Sequence, residues 1–260
     1  MGLRQRIAHE IVRRHKVLSK VLPRGYHAYP TAGGKILLDV RESPMMLARV
    51  LRVYEPAKIL ALQNAMAPGK TFVDVGGNKG DFSLIAAKST GDSARILCVE
   101  PEPTNVNWIR RSVERNKYTS IEVVPAALAA ADGEATLHLG VKSGWHTLVD
   151  DPNQALSGDV TVQTRTLDGL LAERGIDHVD VIKIDVEGAE DLVLAGGTKT
   201  FSGDKPMVVL LDLHPPRVDP VAICKQLEAW GFELCDPENP SRPLPGGPTM
   251  DLKEVVACRR

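Results

Sequence analysis

The stretch Thr71–Lys88, TFVDVGGNKGDFSLIAAK, decides the fold. A short apolar run ends in an acid, meets glycines and passes into a helical pattern. Such a run bounded by glycine reads as a buried strand. Glycine permits both a sharp turn and the approach of a ligand to bare backbone. In an open α/β sheet, ligands sit beyond the carboxyl ends of the strands. Asp74 lies at that end, with Gly76, Gly77, Asn78 and Gly80 after it, and a helix starting near Asp81 offers free N–H groups there. The dinucleotide fingerprint G-x-G-x-x-G is absent, because Asn78 stands where its second glycine belongs. What is present is D-x-G-x-x-x-G. A carboxylate there repels a pyrophosphate and suits a cationic ligand, so it points to S-adenosyl-L-methionine, which carries an ammonium and a sulfonium, rather than to NAD. The plainer reading of the same residues is an ordinary tight strand-to-helix turn.

Outward from this turn the chain keeps a rhythm. Apolar runs such as RILCVEP, SIEVVPAAL, VDVIKIDVEG and MVVLLDLHP alternate with helical patterns such as TNVNWIRRSVERN and DPVAICKQLEAWG. Strands alternating with helices imply βαβ units and a parallel sheet covered on both faces. In the middle, GEATLHLG and VTVQTRTL are extended pieces around a polar loop. The tail runs strand, loop DPENPSRPLPGGPTM, strand, which suggests a closing antiparallel hairpin. The expected fold is α/β: the Rossmann-like fold of class I methyltransferases, with a mostly parallel seven-stranded sheet, a C-terminal antiparallel hairpin and helices on both faces. Residues 1–52 read as a basic amphipathic helix with a lead-in segment, and 53–260 as the cofactor-binding domain.

Composition narrows the class. At 260 residues and 43% hydrophobic, the chain can bury one large core. A formal net charge of -1 argues against a globally basic nucleic-acid binder. The four cysteines are widely spaced with no C-x-x-C pair, so no structural zinc is expected and the thiols read as reduced packing residues of a cytoplasmic protein. Neither a membrane-spanning run nor a signal peptide is expected.

The second strand, ILCVEPEP, ends in Glu100, where Rossmann-type sheets place an acid on the ribose hydroxyls. Glu100 could instead cap the helix beginning near Pro103. Pro101 and Pro103 stiffen the exit from the strand, and Glu102 reads as a surface acid. The strand VDVIKIDVEGAED ends in Asp185, Glu187 and Glu190. Alternation puts Lys183 and Asp185 on one face, and Ile182, Ile184 and Val186 on the other. Asp185 is the expected active-site carboxylate beside the cofactor, and Lys183 the partner that keeps it ionised. Glu187 is a further catalytic candidate, although it and Glu190 also suit the dipole of the helix they begin.

Methyl transfer to an alcohol needs an aligned nucleophile and a proton acceptor. His214, after the strand MVVLLDLHPP, and Asp185 are the two candidates for the base. A histidine neutral near pH 7 can take the proton. Asp212 alternates onto the face of His214 and is placed to orient it. The acids and His214 could also hold magnesium, but their spacing enforces no metal geometry, and no metal is expected.

The segments FVDVGGNKGDFSLIAAK, VEPEPTN, VVPAALAAADGEATLHLG and TLDGLL…VDVIKIDVEGAEDLVLAGG together resemble the FkbM family of S-adenosylmethionine-dependent methyltransferases, from about residue 53 to about 215. KIDVEGAE is the most distinctive piece. The resemblance implies methylation of a hydroxyl on a secondary metabolite, sugar or glycolipid. It implies that Asp74, Gly76 and Gly80 hold the methionine end and Glu100 the ribose. It also implies that the backbone around Ala126 and Ala127 faces the adenine, with Asp132 a candidate for its amino group. Lys79 departs from the small or apolar residue usual at its position.

The loop VKSGWHTLVDD offers Ser143, Trp145, His146 and Thr147 as a substrate wall, and His138 alternates onto an exposed strand face. At the N-terminus, Leu3, Ile7, Ile11, Leu18 and Leu22 follow helical spacing among arginines and lysines, with Glu10 the only acid. Such a helix could meet an anionic membrane, but packing on the domain or on a second copy is the favoured expectation. The leading function is S-adenosylmethionine-dependent O-methylation of a small molecule. The alternatives are an NAD-dependent oxidoreductase and a non-catalytic cofactor-binding module. Base methylation of nucleic acid is not expected, since the fourth strand lacks the [DN]-P-P-aromatic motif.

Overall fold

A computed structural model describes residues 3–141, 144–149 and 155–260. The chain first forms the hairpin β1 (His27–Thr31) and β2 (Gly34–Leu38), then the apolar runs β3 (Thr71–Val75), β4 (Arg95–Val99) and β5 (Ile121–Val124). The middle supplies β6 (Ala127–Leu128), β7 (Gly133–Gly140) and β8 (Leu156–Arg165). The last strands are β9 (Val181–Ile184), β10 (Met207–Asp212), β11 (Glu233–Asp236), β12 (Asn239–Pro243) and β13 (Glu254–Arg259).

The main sheet has the order β12-β11-β13-β10-β9-β3-β4-β5. Strands β5, β4, β3, β9 and β10 are parallel, and β13 runs antiparallel between β10 and β11. The sheet is thus the expected one with an eighth strand: β12 folds out of the proline-rich loop and pairs with the edge of β11. The two extended middle pieces leave the main sheet. β7 and β8 pair antiparallel, and β6 joins β8, in a separate three-stranded sheet.

Alternation along the central strands feeds two cores. Val73, Val75, Leu97, Val99, Ile182 and Ile184 face one, where the helices Leu167–Glu173, Glu190–Gly196 and Pro220–Ala229 pack. Phe72, Ile96, Cys98 and Val181 face the other, under the helices Pro56–Ala65, Asp81–Ser89 and Pro103–Asn116. Helices therefore cover both faces, as a parallel sheet requires.

The N-terminal segment is fastened to this domain. Ile36 and Leu38 of β2 share the second core, and the Leu37 N–H donates to Ser112 Oγ at 3.0 Å. In the helix Leu3–Arg13, Ala8 is buried, and nearby His15 lies 2.8 Å from the Val40 carbonyl through Nε2. Ile7, Val17 and Val21 stay exposed. All four cysteines are free. Among the described residues, no helix is long and apolar enough to cross a membrane.

Candidate active site

The order in which strands are added reverses about β3, which has β4 on one side and β9 on the other, and the crevice opens at the carboxyl ends of these parallel strands. The turn after β3 is strapped to both neighbours. Gly76 and Gly77 N–H groups donate to the Val99 carbonyl at 3.0 Å, and the Asp185 N–H to the Val75 carbonyl at 3.1 Å. A Cβ on Gly76 would lie 1.9 Å from the Asp185 carbonyl oxygen, and one on Gly77 2.4 Å from Cys98 Sγ. These glycines therefore make room for neighbouring protein rather than for a ligand alone.

The cleft, counted together with the open solvent at its mouth, measures about 590 Å³. Gly76, Asn78, Glu100, Pro101, Ala126, Ala127, Asp185 and Glu187 all line it. Val99, Leu128, Leu137 and Leu148 give it an apolar wall, and Asn105 and His146 add polar groups. Of the expected cofactor residues, Asp74, Gly77 and Gly80 stand behind the lining. Asp74 is 1% exposed and accepts from the Ser83 N–H at 3.1 Å and from Ser83 Oγ at 2.7 Å, while Lys183 Nζ lies 3.7 Å from its other oxygen. Gly80, at φ +84°, packs on Ile109. Asp132 is exposed and turned to the Thr166 N–H and Arg165 instead of the cleft. Ser143 falls outside the described residues.

Glu100 accepts the Asn78 N–H at 2.7 Å, the Glu102 N–H at 3.0 Å and Asn105 Nδ2 at 3.3 Å. Burial outweighs these donors and pushes its carboxyl up to about 7. The helix cap is Glu102, which accepts the Thr104 and Asn105 N–H groups, so Glu102 is buried rather than a surface acid and Glu100 is left free for the cleft.

Lys79 is buried, with Nζ 2.9 Å from Asn105 Oδ1, 3.1 Å from Tyr26 Oη and 3.4 Å from Glu42. It thereby ties the glycine turn to the N-terminal segment. No sequence signal marked Asn105 or these partners.

At the end of β9, Lys183 Nζ lies 3.4 Å from Asp185 and donates to the Gly76 carbonyl at 3.0 Å. Burial would raise the Asp185 carboxyl, but Lys183 first and His214 next bring it below its ordinary value. Glu187 adopts a left-handed backbone, φ +56°, and burial pushes its carboxyl up to about 7, with Asp185 adding to the rise and His214 opposing it.

His214 lies behind this pair. Its Nε2 is 3.5 Å from Glu187 and 3.7 Å from Asp185, and its Nδ1 is 2.8 Å from fully buried Glu190. Burial opposes its charging, yet the hydrogen bond with Glu190 and the three carboxylates outweigh it and raise the pKa to about 9. The expected neutral histidine is therefore replaced by an imidazolium at pH 7. Asp212 does not orient it. Both Asp212 oxygens take the Nζ of buried Lys58, at 2.6 and 2.7 Å, in a cluster with the partly exposed Glu55 and Glu254. Donor atoms of Asp185, Glu187 and His214 lie within 4.8 Å of one another.

Residues 74–234 match the family model of the methyltransferase FkbM domain. The chain is 26% identical over 182 residues to "2-O-methyltransferase NoeI" of Sinorhizobium fredii, covering 57% of this chain and 72% of that protein. It is 28% identical over 205 residues to "Methyltransferase 1" of Beauveria bassiana, covering 72% of this chain and 80% of that one. Among solved structures, the FkbM methyltransferase of Methylobacillus flagellatus superposes with a TM-score of 0.53 at 15% identity. That match covers 96% of this chain but only 60% of the other, so the likeness is one of fold, and this chain spans about three fifths of that protein.

Proposed function

Because the chain belongs to the FkbM methyltransferase family, whose domain residues 74–234 match, we propose that it moves the methyl group of S-adenosyl-L-methionine to a hydroxyl oxygen of a small molecule. The observation that carries this reading is one cleft lined jointly by the glycine turn, Glu100 and the Asp185–Glu187 turn. The likeness to a 2-O-methyltransferase favours oxygen as the acceptor atom.

The residues present suit the cofactor. Glu100 offers a buried carboxylate in the cleft for ribose hydroxyls, and Ala126, Ala127, Leu128 and Leu137 offer an apolar wall for a purine. Pro101 stiffens that wall, while Asp74, Gly77 and Gly80 hold the turn that presents Gly76 and Asn78. The cofactor supplies a methyl group on a sulfonium, ready for displacement. Asp185, kept ionised by Lys183, accepts the acceptor's O–H and aligns it. Glu187, with a pKa near 7, is matched to take the proton at neutral pH. The imidazolium of His214, fixed by Glu190, balances the two carboxylates.

Calorimetric titration of the full chain with S-adenosylhomocysteine and with NAD tests the cofactor. Binding of the former is expected, and binding of NAD alone would revive the oxidoreductase alternative. Mass spectrometry after incubation with labelled cofactor and hydroxylated acceptors should then find the methyl group on oxygen. A label on carbon or nitrogen would overturn the O-methyltransferase reading.

A further inference from the structure

The described part of the β7–β8 loop, residues 144–149, is held at both ends of the site. Thr147, 1% exposed, exchanges backbone hydrogen bonds with His138 at 2.8 and 3.1 Å, and its Oγ1 donates to the Glu187 carbonyl at 2.7 Å. This fixes the neighbouring His146 and Leu148 in the lining of the cleft. The loop also abuts the glycine turn: a Cβ on Gly144 would lie 2.9 Å from Asn78 Nδ2.

Two polar atoms in that lining are unsatisfied. His146 Nδ1 and Asn78 Oδ1 are both buried, and neither has a hydrogen-bond partner among the described residues. Buried polar atoms left unpaired are rare in folded proteins and disfavour the state that contains them, so a pair of them in one cleft points to a ligand. Asn78 also donates its N–H to Glu100 at 2.7 Å, which places Asn78 beside the carboxylate assigned to the ribose, and His146 lines the same cleft.

We infer that His146 is a cofactor-binding residue, acting with Asn78 on the nucleoside half of S-adenosylmethionine through these two atoms. The inference rests on the cofactor reading above. The imidazole suits the task. Burial, and then Lys79, hold its pKa below the ordinary value against Glu102 and Glu42, so it is neutral and offers one donor and one acceptor. A neutral ring complements hydroxyls and purine nitrogens and makes no charge pair with the amino-acid end.

Calorimetry on the full chain with S-adenosylhomocysteine and with 5′-methylthioadenosine, which lacks the amino-acid end, tests this. His146→Ala should weaken both by about tenfold, the scale of one lost hydrogen bond. His146→Asn, whose amide falls near the place of Nδ1, should recover most of the loss, whereas His146→Gln should not. Wild-type affinity in His146→Ala overturns the inference and leaves the cofactor reading standing. A loss confined to S-adenosylhomocysteine overturns the nucleoside assignment, and a loss that Asn does not repair marks a packing role instead. If the wild-type chain binds neither compound, the cofactor reading falls and this inference with it.

Discussion

Glu190 Oε1 lies 2.8 Å from His214 Nδ1 and accepts the Gly188 N–H at 3.0 Å, so one buried oxygen fixes both the imidazole and the turn that follows Glu187. The arrangement orients the ring and leaves Nε2 facing Asp185 and Glu187. It also converts a histidine that looks like a free base into a cation held among acids.

Glu190→Gln removes an anion that favours the charged ring, so the His214 pKa should fall from about 9. A charge-assisted hydrogen bond of roughly 1.5–3 kcal/mol corresponds to a drop of about one to two units. NMR titration of the ring protons reads this directly. An unmoved titration would show that Asp185 and Glu187 hold the charge without Glu190.

Glu100, at about 7, lies above its ordinary value of 4.5 because burial disfavours the carboxylate. If the carboxylate binds ribose hydroxyls, affinity for S-adenosylhomocysteine should be full above that pKa and fall toward about tenfold per pH unit below it. The folding term runs the same group the other way. Between 4.5 and about 7 the folded chain holds a proton that the unfolded chain has released, so the contribution of Glu100 to stability declines as pH rises through that window. Glu100→Gln should abolish both dependences and weaken binding about tenfold near pH 8. A variant that keeps the pH slope would move the assignment to Glu187.

The mostly parallel sheet, the two covered faces and many of the lining residues were legible because they are written locally. TFVDVGG and VDVIKIDVEG each carry their own strand, turn and acid. Long-range electrostatics was not legible. The charge on His214 depends on Glu190, 24 residues away, and Asp212 is claimed by Lys58 across 154 residues. Lys79 looked anomalous only because Tyr26, Glu42 and Asn105 meet it through the fold. Likewise β12 sits in a proline-rich stretch that resembles a loop until the edge of β11 is there to pair with it.

Gly76→Ala should destabilise the chain by more than backbone strain alone. Its φ of +73° costs a side chain roughly 1–3 kcal/mol, and the added Cβ would lie 1.9 Å from the Asp185 carbonyl oxygen. Gly91→Ala is the control, since φ is +63° there with nothing within 4 Å. Thermal melts of both variants separate strain from collision. Equal shifts would mean that the approach of β3 to Asp185 relaxes at little cost.

Chelation tests the three donors of Asp185, Glu187 and His214, which lie within 4.8 Å of one another. With an imidazolium and Lys183 already supplying positive charge, turnover should be unchanged after dialysis against EDTA. Loss of turnover that magnesium or manganese restores would make this trio a metal site and displace Glu187 from its role as base.

The rate profile distinguishes the base from the cation behind it. With Glu187 near 7 and His214 near 9, kcat should rise through about 7 and fall through about 9. The rising limb follows loss of a proton from the group that must accept one, and the falling limb follows loss of the charge that steadies the carboxylates. Glu187→Gln should lower kcat by roughly 100-fold or more and erase the rising limb, while leaving affinity for S-adenosylhomocysteine within a few-fold of wild type. His214→Asn should erase the falling limb with a smaller loss of rate. If the limb near 7 survives Glu187→Gln and the rate does not, Asp185 is the proton acceptor and Glu187 only shapes the turn. If both variants turn over at the wild-type rate, the strand-end constellation is structural, and the acid–base group must be sought elsewhere in the cleft.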